Sequence, residues 1–225
     1  KETVRLGEDA FRHQHLRADA MDRAIAVLRQ FGMVARAAGA AEIIAVATAA
    51  TREAENQRVF LDRIREEAEI DVHVISGLEE ARLIYAGVSS GLHLNRRKGL
   101  FIDIGGGSTE VSVGDEHEQN YLTSLPLGAI RISDQFLSHQ RGSVGAKTYE
   151  HLRSFIRAEA AAELRLLRDL KPRIAIGSSG TIENLADVAS YLLYGELGRA
   201  NDGLSLPDLQ KAITYLRSLT LEERR

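Results

Sequence analysis

The sequence predicts an α/β fold in which helices pack on a parallel or mixed sheet. Three observations lead there: short apolar runs of strand length, helical stretches with apolar residues three and four apart, and the regular alternation of the two along the first half of the chain. From Ala18 to Arg36, the residues Met21, Ile25, Leu28 and Phe31 form one helical stripe, which Gly39 ends. Ile43–Ala47 is a continuous apolar run, the pattern of a strand buried on both faces. Helical spacing returns from Asn56 to Glu67 through Phe60 and Ile64, and Val72–Ile75 is the next strand. Ser76-Gly77-Leu78-Glu79 has the form of a capping box, in which Glu79 serves the backbone N–H groups of a helix reaching about Ser90.

The polar, basic stretch from Leu92 to Lys98 is the best internal boundary. Beyond it, Leu100–Ile104 and Glu110–Val113 read as two strands joined by Gly105-Gly106-Gly107-Ser108-Thr109, a glycine-rich hairpin and not a strand entering a helix. Tyr121–Leu125 adds a strand. Helical patterns then occupy Ala129–Leu137 and one long segment, Lys147–Leu170, stopped by Pro172. Arg173–Ile176 is a further strand, Gly177–Gly180 a tight loop, Thr181–Leu193 a helix, and Leu206–Leu219 a last helix with Pro207 at its start. At the other end, Glu2–Leu6 has strand-like text.

Composition narrows the function. The chain has 225 residues, so at roughly 150 residues per domain one large or two small cores are expected. Hydrophobic residues at 44% and charged residues at 27% match a folded globular chain. The net charge of −3 supplies no basic footprint for nucleic acid. With no cysteine there is no disulfide framework, thiolate zinc site or cysteine nucleophile. The longest apolar stretch, Ile43 to Ala50, is far below the roughly 20 residues that span a bilayer. We therefore expect no nucleic-acid partner, no membrane insertion and a cytoplasmic location. The seven histidines have no metal-ligand spacing.

Two glycine-rich segments carry the chemistry. In Asp103–Glu110, three consecutive glycines leave no side chain between backbone N–H groups and a ligand, so the turn can aim several donors at one phosphate. Ser108 and Thr109 add hydroxyls, and Asp103 and Glu110 flank the turn with two carboxylates able to hold a hard divalent ion. The second segment, Gly177-Ser178-Ser179-Gly180-Thr181, opens a helix whose free N–H groups favour an anion; its plainer reading is a strand–helix junction with Ser179 or Thr181 as N-cap. Arg52, after a small-residue run at a strand end, is placed to meet a phosphate bidentately or to pair with Glu53 or Glu55. Glu80 lies about 100° round the helix from Glu79 and is free for another partner.

Four segments taken together, Ala47–Ala54, Ile75–Arg82, Asp103–Glu110 and Gly177–Ile182, resemble the exopolyphosphatase and guanosine pentaphosphate phosphohydrolase family, in order and over nearly the whole chain. The resemblance implies an actin-like superfold of two α/β domains, residues 1–97 and 98–225, with phosphate bound in the cleft between them. It implies Glu80 as general base, Asp103 and Glu110 as ligands of Mg²⁺ (or Mn²⁺), and Gly105–Thr109 and Gly177–Thr181 as phosphate loops. Arg52 contacts the substrate, polyphosphate or guanosine pentaphosphate, and the relatives are commonly homodimers. A sensor of the same fold that binds (p)ppGpp or a nucleotide without useful hydrolysis is the alternative; an actin-like ATPase or sugar kinase ranks below both. The family's opening Asp-x-Gly-Ser-Asn-Ser type loop does not occur in these residues, and the resemblance leads us to expect a core that lacks this loop and the last strand and helix of short members. An unpaired sheet edge is therefore expected, with self-association or instability as its consequence.

Overall fold

The computed structural model describes residues 2–198 and 203–224. In chain order its elements are α1 (Ala10–His13), α2 (Ala18–Ala37), β1 (Ala45–Ala47), α3 (Ala49–Arg52), α4 (Gln57–Ala68), β2 (Val72–Val74) and α5 (Gly77–Ser89). These are followed by β3 (Gly99–Ile104), β4 (Thr109–Gly114), β5 (Gln119–Leu125), α6 (Ala129–Phe136), α7 (Ala146–Glu159), α8 (Ala161–Leu170), β6 (Ile174–Ser178), α9 (Gly180–Tyr194) and α10 (Leu206–Ser218). Two sheets result. β1 and β2 pair in parallel, and a mixed sheet has the order β5-β4-β3-β6, in which β3 is antiparallel to β4 and parallel to β6.

The first core lies between α2, α4 and the small sheet. Met21 and Ile25 of α2 meet Phe60, Ile64 and Ala68 of α4, with Leu16 and Ile70 from flanking loops. Phe31 leaves the expected stripe and is 46% exposed. Over the length of α2 the buried face runs 21, 25, 28, 32, which follows the 3.6-residue period more closely than 31 does. Gly32 takes the inward place, where a Cβ would stand 3.3 Å from Ile70 Cδ1. Asn56 fastens the entry to α4: its amide donates to Leu16 O and its carbonyl accepts from Leu16 N, both at 2.9 Å. Residues 2–5 form no strand, and Arg5 has φ 50°; Val4 and Leu6 instead pack against the first core.

The run Ile43–Ala47 is not buried on both faces. Ile43 and Ala45 pack on the first core, whereas Ile44 is 79% and Val46 52% exposed, because helices cover one face of the two-stranded sheet only. An apolar strand with a bare edge and a bare face is an association site. The double variant Ile44→Lys, Val46→Lys is thus expected to reduce self-association in sedimentation velocity; unchanged association would place the contact elsewhere.

A second core gathers Tyr85, Leu94 and Phe101, with Val88, Leu92 and Ile176 around them. Tyr85 meets Phe101 edge-on at 4.9 Å, and its hydroxyl donates into the β4–β5 turn at Asp115 O and Glu118 O. α5 thus follows β2 in sequence but packs on β4 and β5, so the second core begins before the basic connector. The expected Lys147–Leu170 helix is interrupted at Ala160, although Ala160 N still donates to Ile156 O and Leu164 N to Ala160 O. Among the described residues, no helix is long and apolar enough to cross a membrane.

Candidate active site

The C-terminal ends of β3 and β6 and the N-terminal ends of α5, α6 and α9 converge near the glycine hairpin. In the β3–β4 ladder Ile104 opposes Thr109 and Asp103 opposes Glu110, and Gly105 N donates to Ser108 O at 3.0 Å to close the turn. The register extends across the whole sheet. Ser124 of β5 stands opposite Glu110, and Ser178 of β6 opposite Asp103. Cross-strand partners lie on the same sheet face, so Ser124, Glu110, Asp103 and Ser178 form one row. Ser124 Oγ donates to Glu110 Oε1 at 2.8 Å, and Ser178 Oγ to Asp103 Oδ2 at 2.6 Å. Each central carboxylate therefore has a serine donor on its outer side.

Glu110 is only 3% exposed. Burial pushes its carboxyl pKa up, hydrogen bonds from Ser108 and Ser124 oppose that shift, and the charges of Glu80 and Asp103 add to it. Three acidic groups thus share one electrostatic neighbourhood. Glu80 lies in the first turn of α5, whose start is capped by Ser76 Oγ accepting from Glu79 N at 3.1 Å. Only half of the capping box forms, because the Glu79 carboxylate takes a two-pronged bond from Arg82 at 2.7 and 2.8 Å instead of turning back to the backbone.

Arg52 pairs with neither Glu53 nor Glu55. Its Nη1 donates to Ile75 O at 2.9 Å and to Glu80 Oε2 at 3.3 Å, with both side chains largely covered. A largely covered carboxylate that accepts from a guanidinium is fixed in direction. Arg52 is consequently a neighbour of Glu80 first, and only its remaining donors are left for a ligand.

Three of the hydroxyls expected to reach phosphate are occupied within the protein. Thr109 Oγ1 donates to Leu127 O at 2.8 Å, Ser179 Oγ to Ile104 O at 3.0 Å, and Ser178 Oγ to Asp103. The loop backbone behaves differently. Gly105 O accepts from Ala129 N at 2.9 Å, and Gly106 O from Ile130 N at 2.9 Å and Arg131 N at 3.1 Å. The N-terminus of α6 therefore docks behind the hairpin and consumes its carbonyls, leaving the N–H groups of Gly106, Gly107 and Ser108 without an acceptor among the described residues. A planar trans peptide points N–H opposite to C=O, so pinning the carbonyls also fixes the directions of the donors. The same loop residues line a cleft of about 170 Å³ whose walls include Thr48, Ala49, Phe11, Ile130 and Glu80. N–H groups left without an internal acceptor in a loop that lines a concavity suit an anion.

The second loop is stapled to the end of β3 through Ser178 and Ser179 but does not line that cleft. Gly177 lies on β6, where a Cβ would press on Ile182; Gly180 and Thr181 begin α9, and Ser179 stands at its N-cap without a capping bond. Ser179 has φ 85° and ψ 155°, a region that is almost exclusively glycine's. Ser179→Gly is accordingly expected to be more stable than Ser179→Ala by about 1 kcal/mol, the reverse of the usual order, since both lose the bond to Ile104 O and only glycine relieves the backbone. Urea denaturation of the two variants measures the difference.

Four contributors were not evident in the sequence. Ser124 enters through strand register, and Gly128 because a Cβ there would fall against the backbone of Gly106 and Gly107. Phe11 and Arg131 meet from opposite sides: the Arg131 guanidinium lies 4.4 Å from the Phe11 ring centroid and bonds Gly107 O at 2.7 Å. Only Gly128 had a local sign, as a glycine opening a helical pattern just after the strand region.

Residues 1–224 match the model of the Ppx/GppA phosphatase family. The chain is 30% identical over all 225 residues to Exopolyphosphatase 1 of Mycobacterium leprae and, equally, to that of Mycobacterium tuberculosis. It spans 66% and 65% of their lengths, just under two thirds. The crystal structure of an exopolyphosphatase from Cytophaga hutchinsonii superposes with a TM-score of 0.90 at 29% identity, over 99% of this chain and 72% of that one. A Ppx/GppA family member from Aquifex aeolicus gives 0.72 at 25% identity, over 99% and 71%. The α/β fold with mixed sheets expected from the sequence is the fold shared with these structures, and the chain belongs to the Ppx/GppA phosphatase family.

Proposed function

We propose that this chain carries the core of an exopolyphosphatase, hydrolysing the terminal phosphoanhydride bond of inorganic polyphosphate. The observation that carries the reading is that Gly106, Gly107 and Ser108, whose N–H groups have no acceptor among the described residues, line the same cleft as Glu80. In this reading the terminal phosphoryl oxygens sit on the loop, where fixed donors stabilise charge as the P–O bond to the rest of the chain breaks. Glu80, oriented by Arg52, takes a proton from water as the water oxygen bonds phosphorus; orthophosphate and a chain one unit shorter leave. Guanosine pentaphosphate presents the same terminal bond and is the second substrate of this proposal.

Asp103 and Glu110 suit a divalent cation such as Mg²⁺. Two carboxylates face each other across the ladder, and the buried, charge-crowded Glu110 is what a cation relieves. Mg²⁺ needs no all-protein cage, since it keeps several waters and takes one or two carboxylates plus substrate phosphate. When bound there, Mg²⁺ would neutralise phosphate charge.

A prediction follows from Glu110 itself. Its folded-state pKa lies above the ordinary 4.5, so its contribution to stability is fully present below that value and is lost as pH rises through the folded value. At neutral pH in EDTA, Glu110→Gln is expected to raise the thermal midpoint, and Mg²⁺ to raise that of the parent chain only. An equal Mg²⁺ response in both would remove Glu110 as a ligand.

The function is tested by orthophosphate release from long-chain polyphosphate and from pppGpp in Mg²⁺. Release from either supports the hydrolase and ranks the substrates, while binding of (p)ppGpp without release from either favours the sensor.

A further inference from the structure

The three loop N–H groups without an acceptor among the described residues are not set by the same kind of bond. Gly106 N–H and Gly107 N–H belong to peptides whose carbonyls, Gly105 O and Gly106 O, are held by backbone N–H groups of α6. Ser108 N–H shares its peptide with Gly107 O, and that carbonyl is held by a side chain, Arg131 Nε at 2.7 Å. Arg131 is itself fixed from across the cleft. Its Nη2 bonds both carboxylate oxygens of Glu53 at 2.7 Å, and its guanidinium lies on the Phe11 ring. Only 17% of the Arg131 side chain is exposed. Glu53 and Phe11 belong to the segments around the first core, whereas Gly107 and Arg131 belong to the second sheet and α6. The two sides also touch at this point, since a Cβ on Gly107 would press on Phe11 and come within 2.7 Å of Ala49 Cβ.

We propose that Arg131 is a positioning residue that orients the third phosphate donor, Ser108 N–H, and makes that orientation depend on Glu53 and Phe11 across the cleft. The proposal rests on the reading of the hairpin as a phosphate loop. A rigid peptide plane gives it a definite consequence: releasing Gly107 O lets the 107–108 peptide rotate and withdraws one of the three donors. A lysine cannot reproduce the role, because a point charge does not bond Gly107 O and both oxygens of Glu53 in one fork.

The test is calorimetric binding of tripolyphosphate to the full chain and its variants, with thermal midpoints recorded in parallel. Arg131→Met is expected to weaken affinity about tenfold, the loss of one charge-assisted bond's worth of order in the loop. Arg131→Lys falls between it and the parent. Glu53→Gln, which alters no loop contact directly, is expected to weaken affinity about threefold, and the double variant Arg131→Met, Glu53→Gln to be no worse than Arg131→Met alone. Lower midpoints with parental affinity, or additive losses in the double variant, overturn the proposal and leave a structural ion pair. Should Arg131→Met fail to fold, Arg131→Lys and Glu53→Gln decide it by the same affinities. A parent chain that does not bind tripolyphosphate overturns the phosphate-loop reading together with the proposal, whereas parental binding that the variants share overturns the proposal alone.

Discussion

Glu80→Gln is expected to lower polyphosphate turnover by about 10²–10⁴-fold, the range set by removing a positioned general base, while affinity for tripolyphosphate stays equal or tightens. The two halves of this expectation have separate origins. Glutamine keeps the length of the side chain and an oxygen to accept from Arg52 Nη1, so the start of α5 and the Arg52–Ile75 contact remain. It cannot take a proton from water. It also removes one negative charge from a neighbourhood that already holds Asp103 and Glu110, and a polyanion gains from that removal. Single-turnover kinetics with a binding isotherm separate the effects. Parental turnover would exclude Glu80 as base, and affinity falling in step with turnover would make it a binding residue.

The parts of this site that were legible in the sequence are those fixed by local chemistry. Three glycines between two strand-length apolar runs can only join them by a close turn, and the hairpin of Gly105–Ser108 is where the pattern placed it. Ser76 caps α5 as its motif required. What stayed hidden depends on long-range register. The row Ser124–Glu110–Asp103–Ser178 needs four strands aligned, and β6 joins β3 only after three intervening helices. That row is why Ser178 serves Asp103 instead of a ligand. Similarly, a continuous apolar run states that a strand is apolar, not how many of its faces are covered; Ile44 and Val46 are exposed, with no helix among the described residues covering their side. Arg52 was readable as a cation near a strand end, yet its partner Glu80 lies 28 residues on, beyond any local pattern.

The docking of α6 behind the hairpin carries the largest structural consequence. Gly128 is the N-cap residue of α6 with φ −76°, a conformation open to any residue, so its requirement for glycine is one of space and not of backbone freedom. A Cβ on Gly128 would overlap the backbone carbons of Gly106 and Gly107, and backbone has no rotamer by which to yield. Either α6 or the hairpin must move, and both movements break the bonds from Ala129 N, Ile130 N and Arg131 N to the loop carbonyls. Gly128→Ala is thus expected to destabilise the chain by about 1–3 kcal/mol and to weaken tripolyphosphate binding by at least about tenfold, as the loop's donors lose their common direction. Gly87, in the last turn of α5 with open space where a Cβ would go, supplies the contrast. Gly87→Ala is expected to stabilise the same chain by about 0.5–1 kcal/mol through helix propensity alone, with binding unchanged. Equal behaviour of the two alanine variants in urea denaturation and in calorimetry would mean that α6 does not hold the phosphate loop from behind. A loss of binding at Gly128 alone, retained at a temperature where the variant is fully folded, would tie affinity to the direction of three backbone N–H groups.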